Sequence, residues 1–413
     1  MKPLLKSSVH LVFLLLGLCL FLSFTLNAAE PTVEESLHFK QGIGYRHPDS
    51  LFDISMRFRM QNLAQYESSL GTREARHTTQ VRRLRLRFGG WMLSENLRFN
   101  LQLSFSRNDM DWDNTSFPNI VRDATVIYRL FPALEFSFGQ TKLPGNRQRV
   151  VSSGELQFVD RSIVNRAYNL DRDFSLQSKL RLGKPDSVIV QWLNALSGGG
   201  GRNTGARTAS AFRAVTRVEV LPLGEFKKNG DYFEGDLAFE EQPKVSMASY
   251  VSRFNGINRS GGTILSSLTA GTTDRGFVTW GADIVAKYRG ASVYVEYVRK
   301  TLNDWSPSRA DFSESPSAYS PPLDGEGLNA QAGYLFTPQW EAVVRYSVVT
   351  PKTLSLSAFA FQQKQITSGL NLYLREHRVK VQADVSRNLF RNEGTSESTL
   401  GQWMGRFQVE LGI

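Results

Sequence analysis

The sequence predicts an all-β chain, folded as a transmembrane antiparallel β-barrel of about sixteen strands. Three observations carry that expectation. Apolar and polar residues alternate one by one along much of the chain, the spacing of a strand with one oily and one wet face. The breaks between the alternating runs are by turns tight and long, as in a meander. The chain also opens on a segment with the pattern of an export leader.

Composition removes several other classes. Of 413 residues, 41% are hydrophobic and 21% charged, too apolar for a disordered chain. Cys19 is the single cysteine, which excludes a disulfide scaffold and a cysteine-ligated metal or cluster. The net charge of +10 is spread between apolar strand positions and not gathered on one recognition element, so nucleic acid is not an expected partner. No cofactor motif is found.

From the N-terminus, residues 1–29 read as a signal peptide. Lys2 and Lys6 precede the apolar run Leu11 to Leu26, and Asn27, Ala28 and Ala29 supply small residues for cleavage. An uncleaved anchor is the alternative, because the run nearly reaches membrane-spanning length. Residues 30–50 have mixed charge and no period, and read as a periplasmic lead-in. Residues 51–413 form the barrel domain.

Leu97, Phe99, Leu101, Leu103 and Phe105 share one face while Arg98, Asn100, Gln102 and Ser104 share the other. A helix would scatter these positions. The same reading gives strands at 51–66, 79–91, 97–107, 121–131, 134–142, 173–183, 188–196 and 210–221. It continues at 243–254, 277–289, 291–301, 327–336, 340–349, 362–375, 378–387 and 402–412. Segment 222–242 is not resolved by pattern. Connections such as Phe131-Pro132-Ala133 and Glu376-His377 are tight. Segments 108–120, 143–172, 197–209, 255–276, 302–326 and 388–401 are long and polar. Hydrocarbon cannot satisfy an open sheet edge, so the sheet must close, its first strand pairing with its last. Trp91, Tyr128, Phe131, Tyr288, Tyr334, Phe336, Trp340 and Trp403 fall near strand ends, where amphipathic rings suit the headgroup level.

If the apolar face meets lipid, parity fixes the inner wall. Arg57 and Arg59 oppose Met56, Phe58 and Met60. Arg83, Arg85 and Arg87 oppose Leu84, Leu86 and Phe88, and no acid alternates with them in the strand. Arg98, Arg129, Lys179, Arg181, Lys287, Arg289, Arg345, Lys380 and Arg406 also count inward. So do Asp53, Glu135, Asp173, Asp283, Glu296, Glu341, Asp384 and Glu410. Each Arg is therefore either a strut paired across the ladder or a weak anion site. Segment 143–172 joins Arg147, Arg149, Arg161 and Arg166 to an unusual run of apolar residues, including Val151, Leu156, Phe158, Ile163 and Tyr168. Such side chains are costly in water, which suggests a constriction folded against the inner wall. An external flap or trimer latch is the other reading.

Several stretches resemble the phosphate-selective porin O and P family of Gram-negative outer membranes. They are VRRLRLRFGG (81–90), LEFSFGQTKLPGNRQ (134–148), FVDRSIVNRAYNLDRDFSLQSKLRL (158–182), WEAVVRYSVVT (340–350) and SGLNLYLREHRVKVQADV (368–385). The resemblance implies a sixteen-stranded, homotrimeric porin in the outer membrane that passes small anions, phosphate or polyphosphate among them. The chain ends on Ile413, where barrel proteins commonly end on an aromatic. An enzyme is not expected. No H-E-x-x-H or G-x-S-x-G motif is present; His38 and His47 precede the barrel, His77 falls in the first outer loop, and His377 in a tight turn at the other end. A structural or adhesive barrel with a closed lumen, and a general non-selective porin, are the competing readings.

Overall fold

A computed structural model describes residues 36–39, 42–68, 75–111, 117–203, 212–255, 276–302, 324–352, 361–392 and 400–413. The expected signal peptide 1–29 lies outside the described residues, as do the interiors of several long connections.

The alternating runs become one closed antiparallel sheet. Its sixteen wall strands are β3 (Phe52–Ser68), β4 (Ala75–Met92), β5 (Ser94–Ser104), β6 (Val121–Phe131), β7 (Leu134–Lys142), β8 (Arg172–Leu182), β9 (Ile189–Ser197) and β10 (Phe212–Leu221). They continue as β11 (Lys244–Asn255), β12 (Gly276–Tyr288), β13 (Ala291–Leu302), β14 (Gly325–Leu335), β15 (Trp340–Pro351), β16 (Phe361–Arg375), β17 (Val379–Asn392) and β18 (Leu400–Gly412). Each pairs with the next, and β18 closes on β3 from Met404↔Glu67 to Gly412↔Arg59. Closure leaves no open edge in hydrocarbon.

Two short strands precede the wall. In the lead-in, β1 (Leu37–His38) pairs with β2 (Ile43–Arg46), and β2 pairs with the start of β3. Asp53 fixes this piece by accepting from Arg46 at 2.9 Å and lying 3.1 Å from the His38 ring. Trp91, opposite Asp53 in the ladder, lies beneath the Arg46 guanidinium. It therefore belongs to this cluster and not to the expected aromatic girdle. Tyr128, Phe131, Tyr288, Tyr334, Phe336, Trp340 and Trp403 are exposed on the outside, as girdle residues are.

The barrel is inverted relative to a water-soluble domain. On β15, Trp340, Ala342, Val344 and Tyr346 are exposed, while Glu341, Val343, Arg345 and Ser347, alternating with them, are buried. Large apolar side chains cover the outer face of nearly every strand, a continuous patch that only lipid suits. Among the described residues, no helix is long and apolar enough to cross a membrane.

Two connections fold into the lumen. One is 143–171, between β7 and β8, with two short helices, α1 (Arg147–Val150) and α2 (Ile163–Tyr168), the second capped by the Ser162 hydroxyl. The other, 222–243, breaks the expected pattern, being a long connection at the end where the other connections are tight. Both carry apolar side chains that bury against the inner wall. Ile163, Val164, Ala167 and Tyr168 meet Val298 and Val349. Leu143 and Leu170 meet Ala195, Val215 and Tyr250. Phe226 meets Ile189, Leu221, Val285 and Tyr294. Each fully buried side chain of this kind contributes about 1.5–3 kcal/mol.

Candidate functional site

The two inward connections divide the lumen. Against β10–β18 they cover the wall. Arg217, Glu219, Glu296, Asn329, Glu341, Arg345, Thr367, Lys380 and Glu410 are essentially inaccessible on what parity makes the inner face. Against β3–β9, toward the tight-turn end, the inner face stays partly open. Arg87 is exposed, and Arg57, Arg59, Arg98, Arg129, Lys179 and Arg181 are half-buried.

The covered half is held by bonds from wall to loop. Arg147 donates to Asp283 at 2.5 Å and to Ser246 at 2.8 Å, and Arg217 donates to Glu219, to Asp283 and to the Gly145 carbonyl. Gln157 donates to Glu341 at 2.6 Å, and Lys380 donates to the Leu156 carbonyl at 2.8 Å. Arg345 donates to the Asp160 carbonyl, and Asp160 pairs with both Arg82 and Arg406. Burial alone pushes the Asp160 carboxyl up, but Arg82, Arg406 and Arg83 outweigh it and hold the group well below the usual carboxylate range.

The second connection locks to the first. Glu234 accepts from the Gln157 amide at 2.8 Å and from the Gln148 side chain at 3.1 Å. Lys287 donates to the Phe233 and Gly235 carbonyls and lies over the Phe233 ring. Asp236 accepts from the Gly290 amide at 2.7 Å. Burial, followed by the charge of Lys380, holds the His377 imidazole well below its ordinary pKa. The neutral ring then donates from Nε2 to the Glu234 carbonyl at 2.8 Å and accepts from Lys380 at Nδ1.

On the partly open side lies a cavity of about 250 Å³. Arg57, Phe58, Arg59, Arg85, Arg87 and Gln102 line it from β3–β5, Ser152 and Glu155 from the first connection, Lys228, Phe233, Leu237 and Ala238 from the second, and Glu376, His377 and Arg378 from the β16–β17 turn. The tip of the first connection sits tight on the wall. Arg59 donates to Ser152 at 2.7 Å and Gln61 to the Ser153 carbonyl at 3.2 Å. A Cβ on Gly154 would lie 2.1 Å from Arg59 Cζ, so a larger residue there would push the Arg59 side chain aside.

The predicted site residues separate into distinct groups. Arg57 has no ion-pair partner among the described residues, and Arg87 donates to Asn100 at 2.5 Å. Arg59 pairs with Glu410 at 3.1 Å. Arg98 and Arg129 share Glu135, with Lys179 opposite that carboxylate in the ladder, and Arg181 pairs with Glu225 at 2.9 Å. Arg83 donates to Gln61 at 2.7 Å.

Other placements differ from the expectation. Arg85 is not an unpaired rung. Asp109, brought in by the connection after β5, accepts from its Nε and Nη2 at 2.5 and 2.6 Å, while Nη1 donates to Ser153 at 2.9 Å. Lys287 and Lys380 do not face open lumen, because each is buried and holds an inward connection. Arg289 is not on a wall strand. It stands in the β12–β13 turn at φ 44° with its guanidinium over the Tyr288 ring. The loop arginines serve the loop itself: Arg147 is buried, Arg149 pairs with Asp171, and Arg161 donates to the Gln148 and Val151 carbonyls. Arg166 is exposed.

Sequence reasoning missed Arg82 and the cavity side of 222–243. Register shifts between Gln61↔Arg83 and Asn62↔Val81, leaving Arg82 in a bulge from which it reaches Asp160. The doubled Arg82-Arg83 in an otherwise alternating strand was the available signal.

The fold matches those of known outer-membrane proteins. The chain aligns with solved structures at low identity. Against Salmonella typhi OmpF in a complex with daunomycin, the TM-score is 0.54 at 12% identity, covering 88% of this chain and 99% of that one. The Acinetobacter baumannii outer membrane channel DcaP gives 0.53 at 10% identity, covering 89% and 99%. The trimer form of OmpT, an outer membrane protein of Vibrio cholerae, gives 0.51 at 12%, covering 87% and 99%. No curated protein sequence matches the chain. The family model described as "Phosphate-selective porin O and P" matches residues 54–409. Family and fold point to an outer-membrane porin channel rather than an enzyme. The chain belongs to the phosphate-selective porin O and P family.

Proposed function

We propose that this protein is a passive outer-membrane diffusion channel that favours small anions, phosphate-like oxyanions among them, and works as a homotrimer exported by its N-terminal signal. The observation that carries the reading is Arg57, Arg59, Arg85 and Arg87 together on the cavity wall, outnumbering the acids Glu155 and Glu376 that also line it, although Arg85 is shared with Asp109. Arginine stays charged at any working pH and presents five donors, which suits oxyanions. In a water-filled path, two charges 4 Å apart interact by about 1 kcal/mol, so selectivity comes from several groups acting in sequence. The trimer form of the similar OmpT supports the assembly.

The test is the reversal potential in asymmetric salt at low ionic strength, where screening is weakest. The unmodified channel favours anions. Arg57→Gln with Arg87→Gln lowers the anion-to-cation permeability ratio several-fold. An unchanged ratio defeats the assignment. The filled β10–β18 half favours a second reading, a barrel with a closed lumen, and single-channel conductance separates the two.

A further inference from the structure

The cavity has two chemically different walls. Toward β3–β5 it presents Arg57, Arg59, Arg85 and Arg87. Toward the second inward connection it presents Phe233, Leu237 and Ala238, with Lys228 of the same connection paired to Glu376 in the tight β16–β17 turn. An inorganic ion gains nothing from an apolar surface beside its path, and water in contact with that surface is unfavourable.

The apolar wall is a fixed shelf. Phe226 anchors the start of the connection in the core with Leu221, Val285 and Tyr294. Glu240 accepts from the Lys227 amide at 2.7 Å and closes the connection's two ends on each other. Asp236, one residue before Leu237, accepts from the amides of Glu240 and Gly290. Lys287 holds the carbonyls of Phe233 and Gly235. These bonds fix the backbone on both sides of Leu237 and Ala238, whose own side chains are only half-buried.

We infer that the cavity selects amphipathic organic anions, a carboxylate or phosphonate head on a compact apolar body, over inorganic phosphate. The inference rests on the anion reading above and deepens it. The head group lies along the Arg57–Arg87 row. The body lies against Leu237, Ala238 and the Phe233 ring. A ligand with both parts gains on both walls, whereas phosphate and acetate use only the first.

Chloride current through single channels in planar bilayers, at constant ionic strength and neutral pH, reads this directly. The probes are benzoate, cyclohexanecarboxylate, acetate and inorganic phosphate. Benzoate and cyclohexanecarboxylate inhibit at concentrations roughly three- to tenfold below those of acetate and phosphate, the gain expected from partly shielding a few carbons. Leu237→Gln with Ala238→Ser brings the four probes together, each compared with that channel's own chloride current. Heat-modifiable migration on gels establishes that the variant is folded. Equal potency of benzoate and acetate in the unmodified channel overturns the inference, as does a gap that survives the double substitution. A reversal potential favouring cations defeats the anion reading itself. Anion preference with equal potencies defeats only the organic-anion assignment.

Discussion

His377 shows how one side chain ties the two inward connections to the wall. Its ring donates to the Glu234 carbonyl and accepts from Lys380, an arrangement open only to the neutral imidazole. Burial and Lys380 depress its pKa, so the unfolded chain takes up a proton that the native chain refuses. The contribution is full above the unfolded value near 6.5 and is lost as pH falls below it, by about 1.4 kcal/mol per pH unit. Thermal unfolding followed by gel mobility therefore drops between pH 8 and pH 5, and His377→Gln flattens part of that drop. Asp160 acts lower on the scale. Its depressed carboxyl contributes stability that is present above about pH 4 and lost only as acid protonates the folded state. Equal pH dependence in the His377 variant would remove the imidazole from this account.

At the level of elements, the strands were legible because a two-residue period has one structural solution, and lipid forces the resulting sheet to close. Span 121–131 coincides with β6 and 134–142 with β7. Parity also placed Arg57, Arg59 and Arg87 on the cavity wall. It failed where the period does not apply: at the Arg82 bulge, in the turn that holds Arg289, and for acids such as Asp109 that arrive from connections. Whether an inward charge meets water or a loop depends on contacts across more than a hundred positions, as between Lys380 and Leu156. No local pattern encodes that. The apolar residues of 143–172 did signal burial, because exposing them would be costly. Phe158, buried under the Arg345 guanidinium, tests what they do. Phe158→Ala should destabilise the folded barrel by about 3–5 kcal/mol and raise open-channel noise as the connection loosens. Unchanged noise with intact folding would show that the connection is held by its polar bonds alone.

The whole molecule is a closed cylinder filled on one side. Its outer face is mainly apolar, its inner face mainly polar apart from the patches on which the connections pack, and two connections from opposite ends meet at Glu234 and cover β10–β18. Among the described residues, a cavity lies on the side that carries the arginines. On the proposed function, selectivity follows from which half is left uncovered, not from the total charge of the chain. The most direct measurement uses single cysteines in a chain whose only native cysteine, Cys19, lies in the expected leader. Gln102 lines the cavity beside Arg87, while Ser347 is fully buried on the opposite wall. A thiol reagent carrying a sulfonate is applied to each variant in a planar bilayer. The account predicts a stepwise fall in anion current for Gln102→Cys and no change for Ser347→Cys. Rapid modification at Ser347→Cys, or none at Gln102→Cys, would place the conducting path on the other side of the barrel and contradict it.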